Sequence, residues 1–446
     1  MASRLIDSLA TTDALTEVFS DRSILQAMLD FEAALARAQV TAGVIPERAA
    51  GAIAGAARAE HFDAEVMARE ARDSGTVSIP LVKALTARVQ AADAASARFV
   101  HFGATSQDVA DSAMVLTLGR AHTILAADHR RLEATLRELS ERHARTVMLG
   151  RTLLQPAPPI TFGLKVAGWA AALARAWRRV EAAMDDAAVL QLGGAAGTLA
   201  ALGDRGLAVS AALAGELGLR APAAPWHAHR DRLAALVAAL GIYTATLGKI
   251  ARDITLLMQD EVGEAAEPGG GSSTMPHKRN PAACARVLAA STRLPGLVAA
   301  FLTGMVQEHE RAVGGWHAEW PTIAAAIQTT GSALEAMAGL AAGLAVDPDR
   351  MRANIERTNG AIFAERAMML LTPALGKELA NRLVSAALAE SREMGKSFRE
   401  ALMSAPDVGV AIPADELRTI DVPENYLGIA ESLRQRLLAE EPPEPA

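Results

Sequence analysis

Between residues 231 and 257 one apolar side chain recurs at alternating steps of three and four: Leu233, Leu236, Leu240, Tyr243, Leu247, Ile250, Ile254 and Leu257. Such a sustained heptad seam specifies a long helix with one face committed to partner helices. A second seam runs through Val115, Leu118, His122, Leu125, His129, Leu132, Leu136 and Leu139. At 1.5 Å per residue each helix extends about 40 Å or more, and only long partners cover such faces. Helical patterns over 162–190, 282–310 and 318–344 supply them. The spacing predicts an all-α, elongated helix bundle; no β-α alternation appears, and short hairpins in loops stay open. The chain is 51% hydrophobic but 4% aromatic. Its many small helical residues let axes approach closely, and the apolar surplus predicts that bundles of several subunits pack together.

The 446 residues exceed what one core usually organises. Breaks near "AASARFVHFG" and at "LAVDPDRM" divide them into an N-terminal helical part (1–100), a central long-helix bundle (101–345) and a C-terminal helical part (346–446). The net charge of −7, with basic residues dispersed, argues against nucleic acid. The single cysteine, Cys284, excludes an intrachain disulfide and a cysteine metal cluster. The opening "MASRLIDSLATTDALTEVFSD" lacks the apolar run of a signal peptide, and no spanning-length segment free of charge is found, so a soluble, cytoplasmic protein is expected. The acidic, proline-rich end "EEPPEPA" is expected to fray.

Five polar islands interrupt this apolar chain. "GGGSSTMPHKRNP" (269–281) sets hydroxyls, an imidazole, cations and an amide on three glycines, then meets a helix at Asn280 and Pro281, a suitable cap and first residue. A helix N-terminus beside Lys278 and Arg279 favours an anion; a solvated connection is the plainer reading. "HFGATSQDVADS" (101–112) places Thr105, Ser106, Gln107 and Asp108 before a long helix, as caps or as ligand groups. In "GRTLLQPAPP" (150–159), Arg151, Thr152 and Gln155 are either ligand contacts or part of a proline-rich turn. "WHAHRDR" (226–232) carries His227 and His229 without a third metal ligand at sensible spacing. "HERAVGGWHAEW" (309–320) reads as an inter-helix turn with a solvated charge cluster that includes Arg311 and Glu319.

Gly271, Ser272, Ser273, Pro276, Lys278 and Asn280 match the G-S-S-x-x-P-x-K-x-N loop of the fumarase/aspartase superfamily, which the chain resembles over nearly its whole length. "HFGATSQDVADS", "GGAAGTLAALG", "PWHAHRDR", "TMPHKRNP" and "ERAVGGWHAEWP" resemble the carboxymuconate cycloisomerase branch most. The resemblance implies an almost all-α, three-domain subunit and a homotetramer with a central bundle of about twenty helices. It also implies active sites assembled from three subunits, no metal and no organic cofactor. Where several relatives carry a histidine after the G-R-T turn, this chain has Leu153, which disfavours the eliminations that rely on that histidine.

The implied reaction converts 3-carboxy-cis,cis-muconate to 4-carboxymuconolactone in protocatechuate (β-ketoadipate) catabolism. By position in the resembled loop Ser272 is the expected proton donor and His277 a second candidate acid. Thr105, Ser106, Gln107, Arg151, Thr152, Gln155, Lys278, Asn280 and Arg311 are the expected contacts for a small tricarboxylate. The alternatives are a fumarate-forming lyase of the same superfamily, acting on adenylosuccinate or a substituted succinate, and a catalytically silent structural relative.

Overall fold

The computed structural model describes residues 5–271, 274–275 and 278–440. Five helices dominate it: α1 (Ser106–Arg142), α2 (Phe162–Ala187), α3 (Asp231–Leu257), α4 (Ala282–Gly304) and α5 (Gly315–Ala342). They follow from the two seams. All eight seam residues of α3 are at most 4% exposed, each burial contributing about 1.5–3 kcal/mol. On α1 the apolar seam positions are buried as well, and His129 among them is 3% exposed. An imidazole is tolerated there because His129 Nδ1 hydrogen-bonds Tyr243 Oη at 3.0 Å while its ring stacks on Trp177, with centroids 4.5 Å apart.

The chain divides into two compact units. The first comprises Met1–Arg130, Ala176–Gly248 and Arg286–Ala336. Much of its core surrounds a helix at Asp21–Thr41, started by Ser20, whose Oγ accepts from Ser23 N at 3.2 Å. Met28, Leu29, Phe31 and Leu35 of that helix pack with Leu81, Leu85, Val89 and Leu213. The second unit comprises Arg131–Arg175, Lys249–Ala285 and Met337–Ala446. Its C-terminal helices close over Leu371, Val384, Phe398 and Leu402.

Where the sequence pointed to a proline-rich turn, the second unit forms an antiparallel hairpin of β1 (Val147–Thr152) and β2 (Gln155–Thr161). Prolines 156, 158 and 159 lack N–H donors, so β2 cannot extend the sheet freely. The two-residue turn is Leu153–Leu154, with φ of +51° and +64° and both side chains exposed, 97% and 77%. Left-handed leucines at both central positions take the shape that Asn-Gly normally takes, at about 1–2 kcal/mol each.

By length and composition α3 and α4 are apolar enough to cross a membrane. In α3 most of the apolar window is buried within the protein, whereas α4 buries 22%. On α4 the buried stripe is Cys284, Val287, Ala290, Leu294 and Phe301, and much of the remaining face is small or apolar and exposed.

Candidate active site

The predicted site residues that are described fall into two groups, one in each unit. In the first, Thr105 immediately precedes α1 and Asp108 occupies its third position. Thr105 N–H donates to Asp108 Oδ2 at 3.0 Å, one half of a capping box. Capping is thus part of what this island does, but Asp108 does more. It is fully buried and also accepts from Gly193 N and Gly194 N, each at 2.9 Å, and from His227 Nε2 at 2.7 Å. Four donors fix one carboxylate, and through it the 103–106 turn, the 193–194 turn and the segment before α3 share one geometry. Gly194 is required there: its φ is +68° and an added Cβ would lie 2.9 Å from Gly103 O.

Gln107 is 2% exposed, and its amide donates to Asp111 Oδ2 at 3.1 Å and His227 O at 2.9 Å. Its donors therefore hold the framework. Thr105 and Ser106 stay partly exposed at the positive end of a 37-residue helix, and Arg311 donates to Thr105 Oγ1. Hydroxyls, a guanidinium and a helix N-terminus suit an anion such as a carboxylate.

Behind this surface lies a buried ionic network that the sequence reading missed. Arg230, 1% exposed in its side chain, is flanked by Asp111 at 2.7 Å and Glu319 at 2.6 Å, both as deeply buried. Trp316 Nε1 donates to Asp111 Oδ1 at 3.0 Å, and Gln307 Nε2 to Glu319 Oε1 at 2.7 Å. Burial pushes the Glu319 carboxyl up against the pull of Arg230. Burial also opposes charge on Arg230, but the two carboxylates outweigh it and hold the guanidinium protonated. Glu319 is therefore not part of a solvated cluster. The available signal was an i, i+3 acidic pair, Asp108 and Asp111, entering an apolar helix face.

In the second unit Arg151, Thr152 and Gln155 stand on the hairpin beside its tip. Arg151 makes a two-pronged pair with Glu264, at 2.8 and 2.7 Å, and Glu264 Oε1 also accepts from Asn354 Nδ2 at 2.8 Å. The signature loop is tied at its neck: Asn280 N–H donates to Gly270 O at 2.6 Å, and Gly271 bridges Arg279. Gly270 has φ of +73°, and an added Cβ would overlap Asn280 O at 1.9 Å. Lys278 is exposed on this loop and Asn280 partly so. Asn280 does not cap α4. Glu267, 2% exposed, does, accepting from Ala283 N at 2.8 Å and Cys284 N at 3.1 Å. Burial, reinforced by Glu267, pushes the Cys284 thiol well above its ordinary range, so it stays protonated. Ser272 and His277 lie outside the described residues. No cluster of three or more His, Cys, Asp or Glu suited to a metal occurs among the described residues.

The lyase family profile matches residues 8–296, and an adenylosuccinate lyase C-terminal profile matches 360–437. The chain belongs to the lyase family. It is 47% identical to a 3-carboxy-cis,cis-muconate cycloisomerase of Bradyrhizobium diazoefficiens, over 98% of both chains. It is 42% identical to a nitrosuccinate lyase of Streptomyces davaonensis, over 94% of this chain and 90% of that one. Its fold matches the crystal structure of 3-carboxy-cis,cis-muconate lactonizing enzyme from Pseudomonas putida with a TM-score of 0.93, at 42% identity and 98% coverage of each chain. The almost all-α superfamily fold implied by the signature loop is therefore the fold of this chain.

Proposed function

We propose that the chain cycloisomerises 3-carboxy-cis,cis-muconate to 4-carboxymuconolactone. The near full-length likeness to enzymes of that name carries the reading. The hairpin agrees with it: Leu153 offers no base where an eliminating enzyme of this superfamily is expected to present an imidazole. In the reaction a substrate carboxylate oxygen forms a C–O bond to one end of a conjugated double bond, and a proton is added to the carbon beside another carboxylate. The intermediate is an enolate-like anion, so fixed cations and donors lower its energy. Ser272 is our proton donor, with His277 as the second candidate. Thr105, Ser106 and Arg311 hold one carboxylate; Lys278, Asn280, Arg151, Thr152 and Gln155 serve the others. Gln107 positions the first group through its buried bonds.

The reading includes a cytoplasmic homotetramer, with parts 1–100, 101–345 and 346–446 as its domains. Support comes from the exposed small-residue face of α4, which water leaves uncompensated in a lone subunit.

The test is an ultraviolet progress curve with 3-carboxy-cis,cis-muconate, run beside nitrosuccinate, adenylosuccinate and argininosuccinate. Loss of diene absorbance with formation of the lactone is the expected result. Fumarate release from one of the succinates, with no turnover of the muconate, overturns it in favour of a fumarate-forming lyase, a reading the nitrosuccinate lyase relative supports.

A further inference from the structure

In the second unit a cavity of about 470 Å³ opens between the hairpin, the first turn of α2 and the end of α3. That volume is within the range that encloses small organic ligands. Leu149, Leu256, Leu257 and Val262 give it apolar walls, and the polar groups that face it are Arg151, Lys165, Asp253 and Gln259.

Most of these charges already have partners. Arg151 is matched by fully buried Glu264. Asp253 Oδ2 accepts from Trp169 Nε1 at 2.8 Å and pairs with Lys249. Lys165 is different: it is partly buried and has no hydrogen-bond acceptor or ion-pair partner among the described residues. Burial depresses its pKa, with Lys249 and Arg151 adding to the effect and Asp253 and Glu264 opposing it. Arg151 retains guanidinium N–H donors beyond the two given to Glu264. The cavity therefore offers surplus donors and one unmatched positive charge.

The start of α2 does not supply an anion site of its own. Phe162 N and Gly163 N donate to Thr146 O and His143 O, and Leu164 N donates to Thr161 Oγ1. A phosphate would therefore find two side-chain cations but no backbone cradle. Hydrocarbon walls with a lysine and an arginine suit a carboxylate on a short carbon chain.

We propose that this cavity binds a small organic carboxylate, with Lys165 as its principal charge partner and Arg151 and Gln259 as further donors. The carboxylate is either one borne by the substrate or one from a separate metabolite. Only the first source rests on the function proposed above.

The test uses the intact full-length protein. Acylation of Lys165 by an amine-reactive ester at pH 7.5, followed by peptide mass spectrometry, is measured alone and with propane-1,2,3-tricarboxylate, adipate or sulfate. Lys165 is expected to react in the free protein and at least about tenfold more slowly with a saturating carboxylate. Lys165→Met should weaken the protecting carboxylate about 10- to 150-fold, as for loss of a charged hydrogen bond, and Lys165→Arg should restore most of it. A KM for the muconate that rises in Lys165→Met identifies the substrate as the source, and an unchanged KM a separate carboxylate. Lys165 unreactive without ligand overturns the proposal, because another part of the assembly then covers it. Labelling insensitive to every carboxylate, or slowed by sulfate alone, overturns it too. The protection result is read even if the protein does not turn over the muconate, and wild-type labelling decides even if Lys165→Met fails to fold.

Discussion

Replacing Arg230 by methionine removes one positive charge from between two carboxylates that water does not reach. Arg230 makes five contacts of 2.6–3.1 Å with Asp111 and Glu319, and its guanidinium lies 4.7 Å from the Trp226 ring centroid. Methionine fills much of the volume, so the loss is electrostatic. Stranding a buried ionic partner costs about 3–5 kcal/mol. At about 2–4 °C per kcal/mol for domains of 150–250 residues, the transition should fall by roughly 6–20 °C in calorimetry. Burial already pushes the Glu319 carboxyl up, and without the opposing pull of Arg230 its folded pKa lies further above the unfolded one. Stability of Arg230→Met should accordingly fall as pH rises from 5 to 8, more steeply than in the parent. Adding Asp111→Asn and Glu319→Gln removes both orphaned charges and should recover at least half of the loss. A loss below about 1 kcal/mol in Arg230→Met, or no recovery in the triple variant, would refute this account of the network.

Four further outcomes follow from the same geometry. Asp108→Asn gives up charged hydrogen bonds to His227 and two glycine N–H groups, at about 1.5–3 kcal/mol each; inhibition assays should show carboxylate affinity falling together with Tm. Burial lowers the His101 pKa, but Glu32, bonded to Nδ1 at 2.6 Å, outweighs it and raises the value above the ordinary 6.5. Its stabilisation is complete below pH 6.5 and disappears as pH rises through the higher folded value, so His101→Asn should flatten the Tm profile on that side. Ser272→Ala should lower kcat about 10²- to 10⁴-fold while sedimentation shows an unchanged assembly; full activity would exclude it as the acid. Leu153→Asn with Leu154→Gly should relieve the left-handed leucines yet reduce the sedimenting mass, if the exposed tip is covered by another copy.

The long helices were legible because burial repeats along them every three to four residues, and α1 to α5 begin and end within a few residues of their patterns, apart from the start of α1, nine residues ahead of Val115, and the overextended tail of α4. The hairpin was hidden: three prolines argue against a strand, and Leu-Leu carries none of the usual turn chemistry. The Arg230 network joins residues 89 and 119 positions apart, a distance over which no local pattern speaks. The cap of α4 was misread for the same reason, since Asn280 is the local candidate and Glu267 arrives from the other side of the loop. Thr105 and Arg311 were recognised by residue type and are joined by a hydrogen bond, whereas the neighbouring Gln107 is turned inward to Asp111 and His227.

The neck at Gly270 and Asn280 turns the signature loop into a ring whose length is independent of the helix that follows. Ring closure grows only logarithmically with length, so doubling the segment between Gly271 and Arg279 adds about 0.6 kcal/mol. The enzyme thus carries a replaceable cassette. Residues inserted between these two positions should leave the start of α4 in place, because Glu267, and not the loop, holds Ala283 N and Cys284 N. Loop chemistry in this fold is therefore open to exchange one ring at a time, without redesigning the bundle that carries it.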